Sequence, residues 1–324
     1  MNKFNKLHLE EIPVVFSCDD NYIPYLTVAI KSLIDNSSDK YFYLIYIFHN
    51  GISVSNQNVV RKFNNNNVKI QFINVKRKLS SLTKNLHLRD YYSESIYFRL
   101  FIPSIFKDYD KVIYLDSDMV ILDDVSKLYH IDLKDNLVAA VSDAVVALDD
   151  NLKDYVVNYV GVDKAEDYFN SGMLVMNVKA FKDAKIEERF IHLLNTYCFS
   201  TVAPDQDYLN ALCKNRVLHL PSSWNKMMMD SKKEDELHIV HYNMFLKPWL
   251  YKGVRYEDYF WKYAVRTPFY FSLKQGQVDY SKEKQQEDLE CSKKMVESAL
   301  EFLQEYNYFK KVLALQQAKY KCQI

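Results

Sequence analysis

Asp116 and Asp118 stand two residues apart in "KVIYLDSDMVIL", residues 111–122, with apolar residues on both sides. An unpaired carboxylate among such neighbours costs on the order of several kcal/mol. The stretch reads as one buried strand over 112–124, in which residues two apart point to the same side, so the two acids converge. Facing carboxylates repel, and at neutral pH they need a shared proton or a cation. Oxygen ligands of this kind suit Mg²⁺, Mn²⁺ or Ca²⁺ and leave positions open for substrate oxygens. The same spacing recurs at Asp108/Asp110 and Asp205/Asp207, where a solvated acidic turn or a helix start is the plain alternative. The apolar flanks "KVIYL" and "MVIL" single out the middle pair.

Two enzyme chemistries use such a pair. In a haloacid-dehalogenase-type phosphatase a strand ends in D-x-D-x-[TV], which Asp116, Asp118 and Val120 match, and Asp116 would be a covalent nucleophile. That chemistry also needs a later G-D-x-x-x-D, and none of the five glycines (Gly51, Gly161, Gly172, Gly253, Gly276) precedes an aspartate. In a sugar-nucleotide transferase the pair holds a cation on a diphosphate, whose charge builds as the sugar departs. A third reading is a sugar-nucleotide binder without catalysis.

The elements that must position these acids follow from the hydrophobic pattern. "PVVFSC" (13–18), "YFYLIYIFH" (41–49) and "VKIQFINV" (68–75) read as strands, and 25–36 and 55–65 as helices. Such alternation predicts an α/β fold with a parallel sheet covered by helices. Ligands gather at the carboxyl ends of strands in open sheets, where Asp116 and Asp118 fall. Residues 92–106 read as a helix broken near Pro103, 179–197 as one amphipathic helix, and 205–215 as a shorter one. Further strands are expected at 137–144, 172–178, 216–221 and 238–242. From about residue 280 the chain has no Pro or Gly and an uneven helical periodicity, so 280–324 reads as a helical appendage.

Composition excludes several classes. Lys plus Arg and Asp plus Glu both number 42, so the basic excess of a nucleic-acid binder is absent. The glycines form neither G-x-G-x-x-G nor a phosphate loop. Five scattered cysteines without a C-x-x-C pair fit a reducing compartment. The start lacks the apolar core of a signal peptide and no run of 18 apolar residues exists, so a cytoplasmic protein is expected.

Six blocks then occur in a characteristic order: "VVFSCDDNYIPYLTVAIKSL", "SIYFRL", "KVIYLDSDMVILDDVSKLY", "YFNSGMLVMNVKAF", "DQDYLN" and "HYNMFLKPW". Over about residues 12–250 the chain resembles the family 8 retaining glycosyltransferases, among them bacterial lipopolysaccharide galactosyl- and glucosyltransferases. That resemblance implies a GT-A fold, a Rossmann-like mixed sheet flanked by helices, here with a C-terminal helical extension. It also implies UDP-galactose or UDP-glucose as donor, a glycan on lipid or glycoprotein as acceptor, and Mn²⁺, with Mg²⁺ as the alternative. By the same resemblance Asp116, Asp118 and His241 would hold the metal, and Lys247 would meet the diphosphate. Asp19, Asn21 and Tyr22 would line the uridine pocket and its surroundings, with Ser117 beside them. Arg99, Asn170 and Ser171 would reach the donor sugar, its phosphate or the acceptor. Asp143 would sit near the donor sugar, and Asp205 and Gln206 would face the reacting carbon. An amide such as Gln206 is a poor nucleophile, which favours same-face attack over a double displacement through Asp143 or Asp205.

The family pattern H-Y-x-G-x-x-K-P-W has a glycine where this chain has Met244. Glycine there allows φ > 0 and a close backbone approach to phosphate. With Met244 either the loop takes another path or only Lys247 reaches the phosphate. Three regions are expected: a catalytic domain over 1–250, an aromatic and basic connecting segment over 251–279, and the appendage over 280–324. Segment 251–279 would pack on the catalytic domain or seat the protein peripherally at the inner membrane face. The appendage would dock on the same domain or meet a partner. Trp224 and Met227–Met229 either face the acceptor or fill core.

Overall fold

The computed structural model describes residues 9–77 and 94–321. Tyr92 and Ser93 of the predicted helix, Cys322 and residues 1–8 lie outside the described residues. Among the described residues ten strands form two sheets: β1 Glu10–Ser17, β2 Tyr41–His49, β3 Val68–Asn74, β4 Lys111–Leu115, β5 Met119–Ile121, β6 Val138–Ser142, β7 Phe169–Asn177, β8 Val217–His219, β9 Lys226–Met227 and β10 Ile239–His241. Seven of them make the main sheet in the order β3-β2-β1-β4-β7-β6-β8, and β5-β10-β9 make the second. β1 pairs in parallel with β2 and β4, as expected, but β7 runs antiparallel to β4 and β6. The sheet is therefore mixed rather than parallel. An apolar run reads alike in both directions, so hydropathy carries no sign of this reversal. Alternate residues feed two cores: Val14, Phe16, Ile113 and Leu115 on one face, Val15, Val112, Tyr114 and Met176 on the other.

The single strand expected over 112–124 is two strands in different sheets. β4 ends at Leu115, its ladder closed by the Asp116 amide donating to the Gly172 carbonyl at 2.8 Å. The chain turns through Asp116–Asp118, and β5 then pairs with β10 antiparallel, His241 opposite Met119. The two acids thus sit in the turn between sheets, where a cavity meets them, and not in a buried pleat.

Two helix expectations change in the same local way. Pro103 does not break a helix but opens one: a 3₁₀ segment, Glu94–Phe101, leads into Ile102–Ile105 with Pro103 in its first turn. Proline is tolerated there because that N–H has no intrahelical partner anyway. The helix expected over 179–197 is two, Val178–Asp183 and Ile186–Tyr197, separated by Lys185 at φ 51°.

The C-terminal helices Lys282–Phe302 and Phe309–Lys321 are docked rather than free. Met295, Ala299, Phe302, Phe309 and Val312 are buried in the same core as β4 and β7. The Tyr159 hydroxyl donates to Glu305 at 2.7 Å. Segment 251–279 contributes Phe260, Tyr263, Ala264 and Leu273 to a third core around Tyr242 and Trp249. Among the described residues no helix is long and apolar enough to cross a membrane.

Candidate active site

Asp116, Asp118 and His241 each offer one ligand atom, all within 4.8 Å of one another. The pairing of β10 with β5 sets this meeting, because it carries residue 241 to the end of the Asp116–Asp118 turn; the Tyr242 amide donates to the Asp118 carbonyl at 3.0 Å. His241 Nε2 lies 3.2 Å from Asp118 Oδ1 and 3.8 Å from Asp116 Oδ2. Asp116 Oδ1 is already occupied, accepting from the Tyr114 hydroxyl at 2.8 Å and from Arg99 Nη2 at 3.0 Å. Its other oxygen faces the cluster. Asp118 Oδ2 accepts from Lys247 Nζ at 2.6 Å. Burial alone would raise the Asp118 carboxyl, but Lys247 and His241 outweigh it and hold it well below the usual carboxylate range. Burial likewise disfavours the Lys247 ammonium, yet Asp118 and Tyr22 prevail and raise it above the ordinary lysine value.

A chain of amides fixes which nitrogen of His241 faces the acids. Asp143 Oδ2 can only accept, and takes a hydrogen bond from Asn170 Nδ2 at 2.9 Å. That turns Asn170 Oδ1 towards Asn225 Nδ2, at 3.0 Å. Asn225 Oδ1 is then left to face His241 Nδ1 at 2.9 Å, so Nδ1 carries the proton and donates. Nε2 points at Asp116 and Asp118, where its lone pair would be offered to an ion held between them. Two carboxylates and one imidazole lone pair, converging on the wall of a cavity, fit a divalent cation.

A second knot lies beside the first. Arg99, which sequence pattern alone would leave on a surface, is 4 % exposed and joins Asp116 to Asp205, whose Oδ2 lies 3.0 Å from Arg99 Nε. Its guanidinium stacks on Tyr114 with 4.4 Å to the ring centroid. Asp205 Oδ2 also accepts from Ser171 Oγ at 3.0 Å, and burial raises its carboxyl against the pull of Arg99. Gln206 Oε1 accepts from the Ser171 amide at 2.9 Å, and its Nε2 donates to Asp143 Oδ2 at 3.0 Å. Asp143 Oδ1 accepts from the Val145 amide at 2.8 Å. Asp143, Asn170, Ser171, Asp205 and Gln206 therefore form one buried network with Arg99.

These residues line one cavity of about 440 Å³, together with Asp19, Tyr22, Ser117, Lys247 and Met244. That volume is within the usual range of small-molecule clefts. Asp19 caps the short turn after β1, accepting from the amides of Asn21 and Tyr22. Asn21 is exposed and does not line this cavity. Burial pushes the Tyr22 hydroxyl up to about 12 even though Lys247 pulls it down. Ser117 turns its hydroxyl to the Ser17 carbonyl at 2.9 Å. Met244 adopts φ 59°, so the loop keeps the left-handed conformation of a glycine without having one. Trp224, Met227 and Met228 are buried away from the cavity wall and answer for core, whereas Met229 is exposed and lines neither core nor cavity.

The profile of glycosyl transferase family 8 matches residues 13–253, about three quarters of the chain. The chain belongs to glycosyl transferase family 8. Among the relatives of this transferase, general stress protein A of Bacillus subtilis is 30 % identical over 67 % of the chain and 74 % of its own length. A lipopolysaccharide 1,2-glucosyltransferase of Escherichia coli is 27 % identical over 76 % of each. Among solved structures, the galactosyltransferase LgtC with donor and acceptor sugar analogues aligns with a TM-score of 0.66 at 26 % identity, covering 79 % of this chain and 96 % of that one. The bifunctional glycosyltransferase WbbM aligns at 0.72 and 28 % identity, over 85 % of this chain but only 53 % of its own. The mixed sheet with flanking helices is thus the GT-A fold of these transferases.

Sequence reading of the transferase missed Asn225, Tyr114 and Gly172 as parts of the site. "SSWN" carries no mark of Asn225; only the spatial return of β10 brings it under His241. Asn225→Leu removes the acceptor that orients His241, and the affinity of this site for a divalent cation should fall by about 10- to 100-fold, as read by titration calorimetry. The fold should survive, since no backbone group depends on this amide among the bonds to Asn170 and His241.

Asp207, two residues on from Asp205, is wholly buried and anchors the same helix. Burial raises its carboxyl to about 6, against bonds from Tyr168, Tyr155 and the amides of Ala203 and Val202 that lower it. The folded transferase therefore holds this proton more tightly than the unfolded chain, where the group titrates at 3.8. Stability from Asp207 is full below about pH 4 and is lost as the pH rises to about 6. Thermal denaturation through that window should show Asp207→Asn with a flatter profile than the parent.

Proposed function

We propose that this transferase moves a galactosyl or glucosyl group from its UDP conjugate to a hydroxyl of a glycan on lipid or glycoprotein, with retention of configuration and with Mn²⁺. The carrying observation is the meeting of Asp116, Asp118 and His241 with Lys247 in one cavity that also holds Asp143, Asp205 and Gln206. The E. coli lipopolysaccharide glucosyltransferase and the galactosyltransferase LgtC support the sugar class. Asp116, Asp118 and His241 would hold the metal, and the nitrogen ligand favours Mn²⁺ over Mg²⁺. A divalent cation there supplies electrostatic stabilisation to the charge that builds on a departing diphosphate.

The chain's own groups do the rest. Lys247 meets the diphosphate and stabilises the same developing charge. Asp19, Tyr22 and Ser117 flank the nucleotide end, and Asn170 and Ser171 the sugar. Asp143 and Asp205 each accept two or more hydrogen bonds or ion-pair contacts, which makes them weak nucleophiles and good stabilisers of positive charge on the sugar. Gln206 is oriented by Ser171 and Asp143 and holds the sugar for same-face attack, the departing phosphate taking the proton of the acceptor hydroxyl. Peripheral contact is part of this reading: exposed Phe271, Val265 and Val278 stand among Lys262, Arg266 and Lys274. Sedimentation with anionic vesicles, weakened in Phe271→Ser, checks it.

The deciding experiment incubates the protein with a panel of UDP-sugars and Mn²⁺, without acceptor, and follows UDP release. Slow hydrolysis of UDP-galactose or UDP-glucose is expected. Release of inorganic phosphate without a nucleotide preference would return the phosphatase reading. Mn²⁺ binding with no UDP release from any donor would leave the non-catalytic binder.

A further inference from the structure

Nearly all of the cavity wall comes from residues within the family-matched span 13–253. Two described residues on the wall come from outside it, Asp288 and Met295. Both lie on helix Lys282–Phe302, seven residues apart, hence on one face and about 10 Å apart along the axis. The helix is tied to both sides of the cavity. On one side Asp288 Oδ2 accepts from the hydroxyls of Tyr251 and Tyr280, each at 2.7 Å. The Tyr251 amide in turn donates to the Lys247 carbonyl at 2.9 Å. On the other side Met295, 8 % exposed, shares a core with Val146, Leu152 and Val156, which follow Asp143 in the chain. The helix therefore spans from the Lys247 loop to the Asp143 side. With Oδ2 taken by two tyrosines, Asp288 Oδ1 is oriented and carries no hydrogen bond from the described residues.

We propose that Asp288 and Met295 form an acceptor subsite for a neutral terminal hexose. One hydroxyl of that hexose donates to Asp288 Oδ1, and its C–H face or apolar aglycone lies on Met295. A carboxylate at this place repels acceptors that bear phosphate or carboxylate groups. The inference rests on the transferase reading above and assigns the part of the cavity that Trp224 and the methionine run do not supply.

The test uses the full chain with Mn²⁺ and its preferred UDP-sugar. Octyl β-D-glucoside and octyl β-D-galactoside, below their micelle concentrations, are the acceptor probes. Donor consumed divides between hydrolysis and transfer, and their ratio is independent of donor affinity. Asp288→Ala is expected to lower the transfer-to-hydrolysis ratio roughly 10- to 100-fold, the worth of one hydrogen bond to a charged group, with acceptor-free UDP release unchanged. Tyr280→Phe removes one bond to Oδ2 but keeps the carboxylate, and should retain most of the ratio. Three results overturn the subsite: an unchanged ratio in Asp288→Ala, an equal fall of hydrolysis and transfer, or a wild-type protein that hydrolyses donor but glycosylates neither probe. A wild-type protein that releases no UDP fails the underlying transferase reading, and the subsite falls with it.

Discussion

Alanine in place of Gly172 is expected to lower Mn²⁺ affinity by about 100-fold or more. Donor hydrolysis should fall by about 1,000-fold with it. A Cβ on Gly172 would stand 2.4 Å from His241 Cε1, 2.7 Å from Asp116 Oδ2 and 3.0 Å from Asn170 Oδ1. Each of these is fixed from behind. His241 is bonded to Asn225, Asp116 to Tyr114 and Arg99, and Asn170 to Asp143. The strand cannot retreat either, since the Asp116 amide is bonded to the Gly172 carbonyl. The demand is for space, not for an unusual backbone, because Gly172 is not among the positive-φ residues. Overpacking should cost about 1–3 kcal/mol in stability, small enough for a folded protein to be assayed. Calorimetric titration with Mn²⁺ and a UDP-release assay check the pair of effects. Wild-type Mn²⁺ affinity in Gly172→Ala would mean that these three side chains do not close around one ion.

Gly172 also marks where sequence reading stops. The strands β1, β2 and β3 were legible because continuous apolar runs with turn residues at their ends leave few alternatives. The D-x-D was legible as a pair of acids, but not as a turn between two sheets. That turn depends on β5 pairing with β10, some 120 residues later in sequence, a contact that no local pattern encodes. The same return explains why His241 was reachable only through family resemblance, and why Asn225, whose role is to orient it, was not reached at all. Arg99 looked like a surface arginine on its own segment; its burial follows from two carboxylates arriving from β4 and from helix Pro204–Cys213. Residues that act through contacts between distant segments are invisible to periodicity, whereas those that set local conformation are not. Met244 lies between: the family's glycine allows a left-handed backbone, and Met244 adopts one although it carries a side chain, which the sequence did not reveal.

Lys247→Met should move two measurements in opposite directions. In the structure the Lys247 ammonium holds Asp118 Oδ2 at 2.6 Å and the Tyr242 carbonyl at 2.7 Å. It therefore occupies a carboxylate that a cation also needs. Removing it takes away the competitor, so Mn²⁺ affinity should rise by about threefold to tenfold, the Lys247–Asp118 attraction being partly offset by its desolvation in this mostly buried pair. Turnover should fall by about 100- to 1,000-fold, because the charge on the leaving diphosphate loses its ammonium. Without Mn²⁺ the variant should be less stable by about 2 kcal/mol, below the usual cost of breaking a fully buried pair, since Asp118 keeps some contact with the cavity. Mn²⁺ should then raise the melting temperature of the variant by more than that of the parent, because the ion takes the place of the lost charge. Melting curves with and without Mn²⁺, set beside UDP release, separate the two roles. Were Lys247→Met to bind Mn²⁺ more weakly than the parent, Lys247 would belong to the metal site as a support and not as a rival for Asp118.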